Sequence, residues 1–270
     1  MGALKPIGIF DSGLGGLSVL REIRQLLPGE ALIYVADQGR LPYGPRPVEE
    51  IRQFSEQISH FLLAHQAQLI VVACNTASAA ALAYLRHRFP HVPFVGMEPA
   101  VKPAAQQSQS QIVGVLATQA TCQSEVFASI IDRFAKGVTV LPQACPELVT
   151  QVEAGAFDTP TTSQLLQSYL TPLLEAGIDS LVLGCTHFSF LTPAITRIVG
   201  PQVRIIDPAP AVARQVSRVL QHPRAAQPGA SITAFTTGKT DPSALASQMV
   251  TEPIQFQPLA MTTLQSYNFL

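Results

Sequence analysis

The chain repeats itself. Ile7-Gly-Ile-Phe-Asp-Ser12 lines up with Val113-Gly-Val-Leu-Ala-Thr118 at an offset of 106, and at that offset Leu32-Ile-Tyr-Val35 meets Val138-Thr-Val-Leu141. At an offset of 111, Cys74 in Leu69-Ile-Val-Val-Ala-Cys74 meets Cys185 in Leu181-Val-Leu-Gly-Cys185, and Val92-Pro-Phe-Val95 meets Val203-Arg-Ile-Ile206. Four short apolar runs therefore recur in order, with a small insertion between the second and third. Runs of this kind read as strands buried on both faces, as in a parallel sheet. Helical patterns lie between them: Leu17, Leu20, Ile23 and Leu27, then Val48, Ile51, Phe54, Ile58, Phe61 and Leu62, keep a spacing of three to four. Strands alternating with helices imply βα units. The expectation is an α/β protein of two similar lobes with parallel central sheets, residues 1–98 and 99–207.

Residues 208–270 are too few in elements for a third lobe. They carry a helix-like run at 212–220, a Pro/Gly/Ala loop around 223–230 and a Thr/Ala-rich strand at 231–236, which is expected to return and complete the first lobe. The polar stretch 106–111 reads as a surface loop just after the crossover. Hydrophobic residues make up 47% of the chain and charged residues 13%, enough apolar material for a core of this kind. The net charge of −1 and the absence of a basic stripe exclude a nucleic-acid surface. No apolar run is long enough for a membrane helix, and the N-terminus leaves no room for a signal peptide, so a cytoplasmic location is expected. Four cysteines (74, 122, 145 and 185) without CxxC spacing fit neither a disulfide framework nor a zinc knuckle.

The carboxyl ends of parallel strands are where open α/β sheets bind ligands, and sites favour the interface of matched lobes. Asp11-Ser-Gly-Leu-Gly-Gly16 follows the first strand and opens a helix; its glycines let backbone N–H groups approach an anion. The plain alternative is a tight turn capped by Asp11 or Ser12. Asp37-Gln-Gly-Arg-Leu-Pro-Tyr43-Gly44 follows the second strand, where Tyr43 can offer a hydroxyl and Gly44 a close backbone N–H; alternatively this is a Pro/Gly turn. Cys74-Asn75-Thr76 sets a thiol at a strand end entering a helix, whose N-terminus favours the thiolate, with an amide and a hydroxyl beside it. Cys185-Thr186-His187 adds an imidazole that can take the thiol's proton or simply pack. Glu153, after Cys145-Pro-Glu147, is a candidate partner for His187, and Cys122 reads as a structural residue at a helix start. Cys-x-His lacks further ligands at a suitable spacing, so no metal is expected. Gly238-Lys-Thr240 is not a P-loop, because the required first glycine falls on Thr233.

Two thiols in matching positions suit two-base inversion at carbon, one as base and the other as acid, with roles exchanged in reverse. Hydrolysis would need one nucleophile and one base, and no separate oxyanion element accompanies Cys185 and His187. Of the four lysines (5, 102, 136 and 239), none sits in a motif with a phosphate cradle, so pyridoxal phosphate is not implied and no cofactor is expected.

Asp-Ser-Gly-x-Gly-Gly, Pro-Tyr-Gly, Cys-Asn-Thr-Ala, Cys-Pro-x-Leu-Val…Val-Glu-x-Gly and Leu-Gly-Cys-Thr-His, in this order over essentially the whole chain, resemble the glutamate racemase family. The resemblance implies two flavodoxin-like α/β lobes about a pseudo-twofold axis with the active site between them. It implies a cofactor-independent isomerase that interconverts L- and D-glutamate and supplies D-glutamate for peptidoglycan synthesis, hence cell-wall biogenesis and cell shape. Carried onto this chain, Cys74 acts on D-glutamate and Cys185 on L-glutamate. Asp11, Ser12, Tyr43, Gly44, Asn75, Thr76, Thr186 and His187 hold the substrate, and Asp11, Glu153 and His187 tune the thiols. Similar enzymes are often homodimers. Ser18 and Ser78 stand where the family more often has Thr. The related aspartate racemases usually carry Gly-Cys-Thr-Glu at the second cysteine, so Gly-Cys-Thr-His here favours glutamate. From a different class, a non-catalytic amino-acid-binding protein is the competing reading.

Overall fold

The computed structural model describes residues 5–220 and 230–269. Most of the expected loop at 223–230 lies outside them. The chain divides into two compact units, one of Met1–Met97 with Ala209–Leu270, the other of Glu98–Pro208.

In the first unit β1 (Ile7–Asp11), α1 (Leu17–Leu26), β2 (Leu32–Ala36), α2 (Val48–Ala64), β3 (Leu69–Val72), α3 (Asn75–Arg88) and β4 (Phe94–Gly96) follow one another. Every residue of the first three strands is buried. That is the signature of a parallel sheet covered on both faces, and it explains why these segments are apolar throughout rather than alternating. The stripe on α2 packs Ile51, Ile58, Phe61 and Leu62 into a cluster with Phe10, Val35, Ile70 and Val72.

The second unit runs α4 (Val101–Gln107), β5 (Ile112–Ala117), α5 (Gln119–Cys122), α6 (Glu125–Phe134), β6 (Thr139–Ala144), α7 (Pro146–Glu153), α8 (Pro160–Glu175), β7 (Ser180–Gly184), a 3-10 turn Thr186–Leu191, α9 (Thr192–Val199) and β8 (Arg204–Ile206). The polar stretch at 106–111 is partly helical: α4 continues through Gln107 and the loop begins at Ser108. Cys122 ends a one-turn helix capped by Thr118 instead of starting one, because Ser124 caps the next helix.

The chain then re-enters the first unit through α10 (Ala209–Leu220), β9 (Ile232–Thr236), α11 (Ser243–Val250), β10 (Phe256–Pro258) and α12 (Met261–Gln265). The strand orders are β10-β9-β2-β1-β3-β4 and β6-β5-β7-β8, and every pairing is parallel. The duplicated runs thus form one four-strand pattern twice, and the return segment adds two strands beside β2. Among the described residues no helix is long and apolar enough to cross a membrane.

Candidate active site

In each unit the chain leaves its central strand to one side and later returns on the other. β1 is flanked by β2 and β3, and β5 by β6 and β7. The carboxyl end of such a switch is where an open α/β sheet leaves a crevice. In the first unit Asp11 ends β1 and Cys74 follows β3. Asp11 is fully buried, and its carboxylate accepts the Ser12 N–H at 2.7 Å and the Gly16 N–H at 2.6 Å. The anion at the start of α1 is therefore the protein's own. The N-cap position itself is Gly16 and no side chain caps it. A Cβ at Gly16 would lie 2.8 Å from the Asp11 Cβ, so only glycine lets the loop fold over the carboxylate. Tyr34 steadies the same loop by donating to the Gly13 carbonyl at 2.7 Å.

Cys74 is the N-cap of α3, and its sulfur accepts the Ala77 N–H at 3.5 Å. Its Sγ also donates toward Ser12 Oγ at 3.9 Å. Asn75 and Thr76 are buried beside it; among the described residues neither polar atom of the Asn75 side chain has a partner. A buried amide left unpaired costs stability unless something completes its hydrogen bonds. Tyr43, with a hydroxyl expected to be offered to a ligand, has a partner for it within the protein. Its ring is buried and its proton is committed to Asp37 Oδ2 at 2.5 Å. Burial first, and then the Asp37 carboxylate, hold its pKa well above the ordinary tyrosine value. What this turn presents outward is backbone, at the half-buried Gly44.

In the second unit Cys185 caps the 3-10 turn with φ −147° and ψ 134°, close to the −143° and 121° of Cys74. Its Sγ lies 3.6 Å from His187 Nδ1, and His187 Nε2 lies 2.7 Å from Glu153 Oε1. Glu153 arrives on the last residue of α7, which packs against the turn. Burial would lower the His187 pKa, but its hydrogen bonds to Cys185 and Glu153 and their charges outweigh it and hold the imidazole well above its ordinary value. Thr186 is buried next to them. The structure thus brings Cys185, His187 and Glu153 together in one unit, and Asp11, Ser12, Cys74, Asn75 and Thr76 in the other. The remaining cysteines differ in kind. Cys145 is buried with its pKa pushed far up by desolvation, and Cys122 is raised for the same reason. Among the described residues no group of three His, Cys, Asp or Glu side chains could hold a metal ion.

Residues 7–216 match the Asp/Glu/Hydantoin racemase family. The chain belongs to that family. It is 56% identical over 217 residues to the glutamate racemase of Roseiflexus sp. (strain RS-1), covering 80% of each chain. Among solved structures it resembles glutamate racemase isoform RacE1 from Bacillus anthracis, with a TM-score of 0.83 and 34% identity over 95% of this chain and 98% of that one. It also resembles Escherichia coli glutamate racemase, solved with L-glutamate and the activator UDP-MurNAc-ala, with a TM-score of 0.84 and 33% identity over the same shares.

For a racemase the two cysteine-bearing strand ends are equivalent in backbone and unequal in chemistry. The sequence reading missed part of what surrounds the first. Asp37, Arg40, Thr236 and Thr237 form a buried polar group beneath Tyr43. Asp37 was visible only as a turn residue, and Thr237 follows β9 at its carboxyl end. The strand-end rule that singled out Cys74 would have found Thr237 too, had the return strand been treated as part of the site.

Proposed function

We propose that this racemase interconverts L- and D-glutamate without a cofactor, by a two-base mechanism in which Cys74 and Cys185 are the proton donor and acceptor. The observation that carries this reading is the equivalence of the two thiols. Each follows the strand beside β1 or β5, within the four-strand order that the two sheets share, and with nearly the same cap dihedrals. Inversion needs a base on one side of the α-carbon and an acid on the other, and a duplicated lobe supplies one of each.

From D-glutamate, the Cys74 thiolate removes the α-proton and the Cys185 thiol delivers one to the opposite face; from L-glutamate the roles exchange. Either way one sulfur gains a proton and the other loses one, so the enzyme must reset before turning over the same enantiomer again. At Cys185 the resetting partner is His187, held protonated by Glu153. At Cys74 the residue two positions on is Thr76, and the Ser12 hydroxyl lies 3.9 Å from the sulfur. The substrate carboxylates are held by Asn75, Thr76 and Thr186 and by the Tyr43–Gly44 backbone, and the ammonium group by Asp11 and Ser12. The unpartnered amide of Asn75 supports its role, since a bound carboxylate and ammonium would satisfy a donor and an acceptor together. The glutamate in the Escherichia coli relative supports the choice of substrate. The D-glutamate formed supplies peptidoglycan synthesis in the cytoplasm, and the working enzyme is a homodimer.

The test is to incubate the enzyme with D- or L-glutamate in deuterated water and follow optical rotation and α-deuterium together. Racemisation places solvent deuterium on the inverted product. Unchanged rotation at saturating enzyme would remove the proposal, and binding without exchange would point to a binding protein.

A further inference from the structure

The return segment does more than widen the first sheet. β9 pairs in parallel with β2, and the register sets Thr236 against Ala36. The next residues, Thr237 and Asp37, therefore emerge side by side where the two strands end. The Thr237 hydroxyl donates to Asp37 Oδ1 at 2.8 Å and accepts the Gly39 N–H at 2.9 Å. Asp37 Oδ2 takes the Tyr43 hydroxyl at 2.5 Å and faces Arg40 at 3.4 Å. A second clasp runs alongside, with Thr236 Oγ1 on Gln38 Oε1 at 2.8 Å. The approach is tight enough to exclude a side chain: a Cβ on Gly39 would sit 2.7 Å from the Thr237 carbonyl oxygen. Tyr43 in turn belongs to the same buried cluster as Cys74.

We propose that Thr237 is a positioning residue for the Cys74 side of the reaction, acting through Asp37 to fix Tyr43 and the turn that carries Gly44. The hydroxyl of Thr237 is used in both directions, as donor and as acceptor, so neither Val nor Ala replaces it. Its charge-assisted bond leaves Asp37 one orientation, and that orientation decides where the Tyr43 hydroxyl ends. The C-terminal segment thereby reaches the site without touching substrate.

This inference rests on the proposed two-thiol reading, so the experiment follows two signals: kcat/KM for glutamate, and the rate at which iodoacetamide alkylates Cys74, read by mass spectrometry. Thr237→Val lowers kcat/KM and speeds Cys74 alkylation, each by roughly tenfold, the size expected for a lost hydrogen bond to a charged group. Thr237→Ser restores both to within about twofold, since a residue that keeps the hydroxyl keeps the bond. Tyr43→Phe with Thr237→Val costs no more than the larger single change, because the two act on one carboxylate. Should Thr237→Val give no folded protein, Thr237→Ala against Thr237→Ser carries the same contrast. Wild-type behaviour in Thr237→Val, a loss that Ser does not recover, or strict additivity with Tyr43→Phe overturns the role. A wild-type enzyme that leaves glutamate unturned removes the proposed function alone, and the alkylation series still decides the positioning role.

Discussion

The strand ends at Cys74 and Cys185 share a backbone frame and differ in what the next residues do. After Cys74 an α-helix begins, and its Ala77 N–H points at the sulfur. After Cys185 the chain takes a 3-10 turn, which aims a side chain at the sulfur instead, the imidazole of His187. One thiol is thus served by a fixed backbone dipole and the other by a group that titrates. The units also differ at the sheet edge. β2 is covered by β9, which brings the Thr237 clasp, whereas β6 ends its sheet. Duplication supplies two equivalent positions, and the groups around each differ: an imidazole faces Cys185, and a hydroxyl and a backbone N–H face Cys74.

The most severe way to break this comparison is to remove a thiol. Cys74→Ala and Cys185→Ala each lower kcat/KM for racemisation by roughly a thousandfold, near the upper range for a general acid–base group. Whatever solvent exchange remains should separate them: deuterium enters only D-glutamate in Cys185→Ala and only L-glutamate in Cys74→Ala, checked by NMR on recovered substrate. Exchange of the opposite enantiomer would reverse the assignment.

Removing the imidazole comes next. His187→Asn is expected to cost about a hundredfold in kcat/KM. Enantiomers have equal free energy, so kcat/KM falls equally in both directions. The asymmetry shows in the α-deuterium isotope effect, which rises for L-glutamate, where Cys185 removes the proton. Equal isotope effects in both directions would mean that His187 serves the two thiols alike.

Glu153→Gln sharpens the same side, with a loss of about tenfold from one charge-assisted hydrogen bond. It also moves a titration. His187 is raised in the folded protein, so the stability it contributes is full below the ordinary histidine value of about 6.5 and fades as pH rises through the folded value. Without the Glu153 charge that value falls, so the decline in urea midpoint, which starts near the ordinary histidine value in both proteins, is smaller in the variant and levels off at lower pH than in the wild type. Superimposable midpoint–pH curves would show that Glu153 does not set the imidazole charge. The smallest effect belongs to Ser12→Ala, about threefold in kcat/KM, because its contact to the Cys74 sulfur is long and weak.

How much could be read from the chain depends on how local the physics is. β6 and β8 lie at the edges of their sheet and are half-buried to exposed, unlike the double burial expected of them. The repeat was most legible at β1, β3 and β7, which are buried on both faces, because continuous burial writes itself as an apolar run. The cysteines were legible as strand ends for the same reason. Glu153 and His187 were legible only as candidates, since 34 residues separate them and the contact depends on how α7 packs against the turn after β7. The partner of the Tyr43 hydroxyl was not legible, because nothing in Pro-Tyr-Gly says that Asp37 lies beneath it. Thr237 was passed over, because its partner is 200 residues away.

By itself, then, the sequence determined two α/β halves, parallel strands in each, and a thiol at the end of one strand per half. Hydrophobic periodicity and strand-end chemistry are properties of short segments, and a chain states them directly. Only the tertiary structure decided which polar groups meet. Asp11 folds onto the Gly16 N–H, His187 reaches Cys185 with Glu153 behind it, and β9 carries Thr237 to Asp37. Those contacts depend on strand register and helix packing, where an error of one residue turns a side chain to the opposite face.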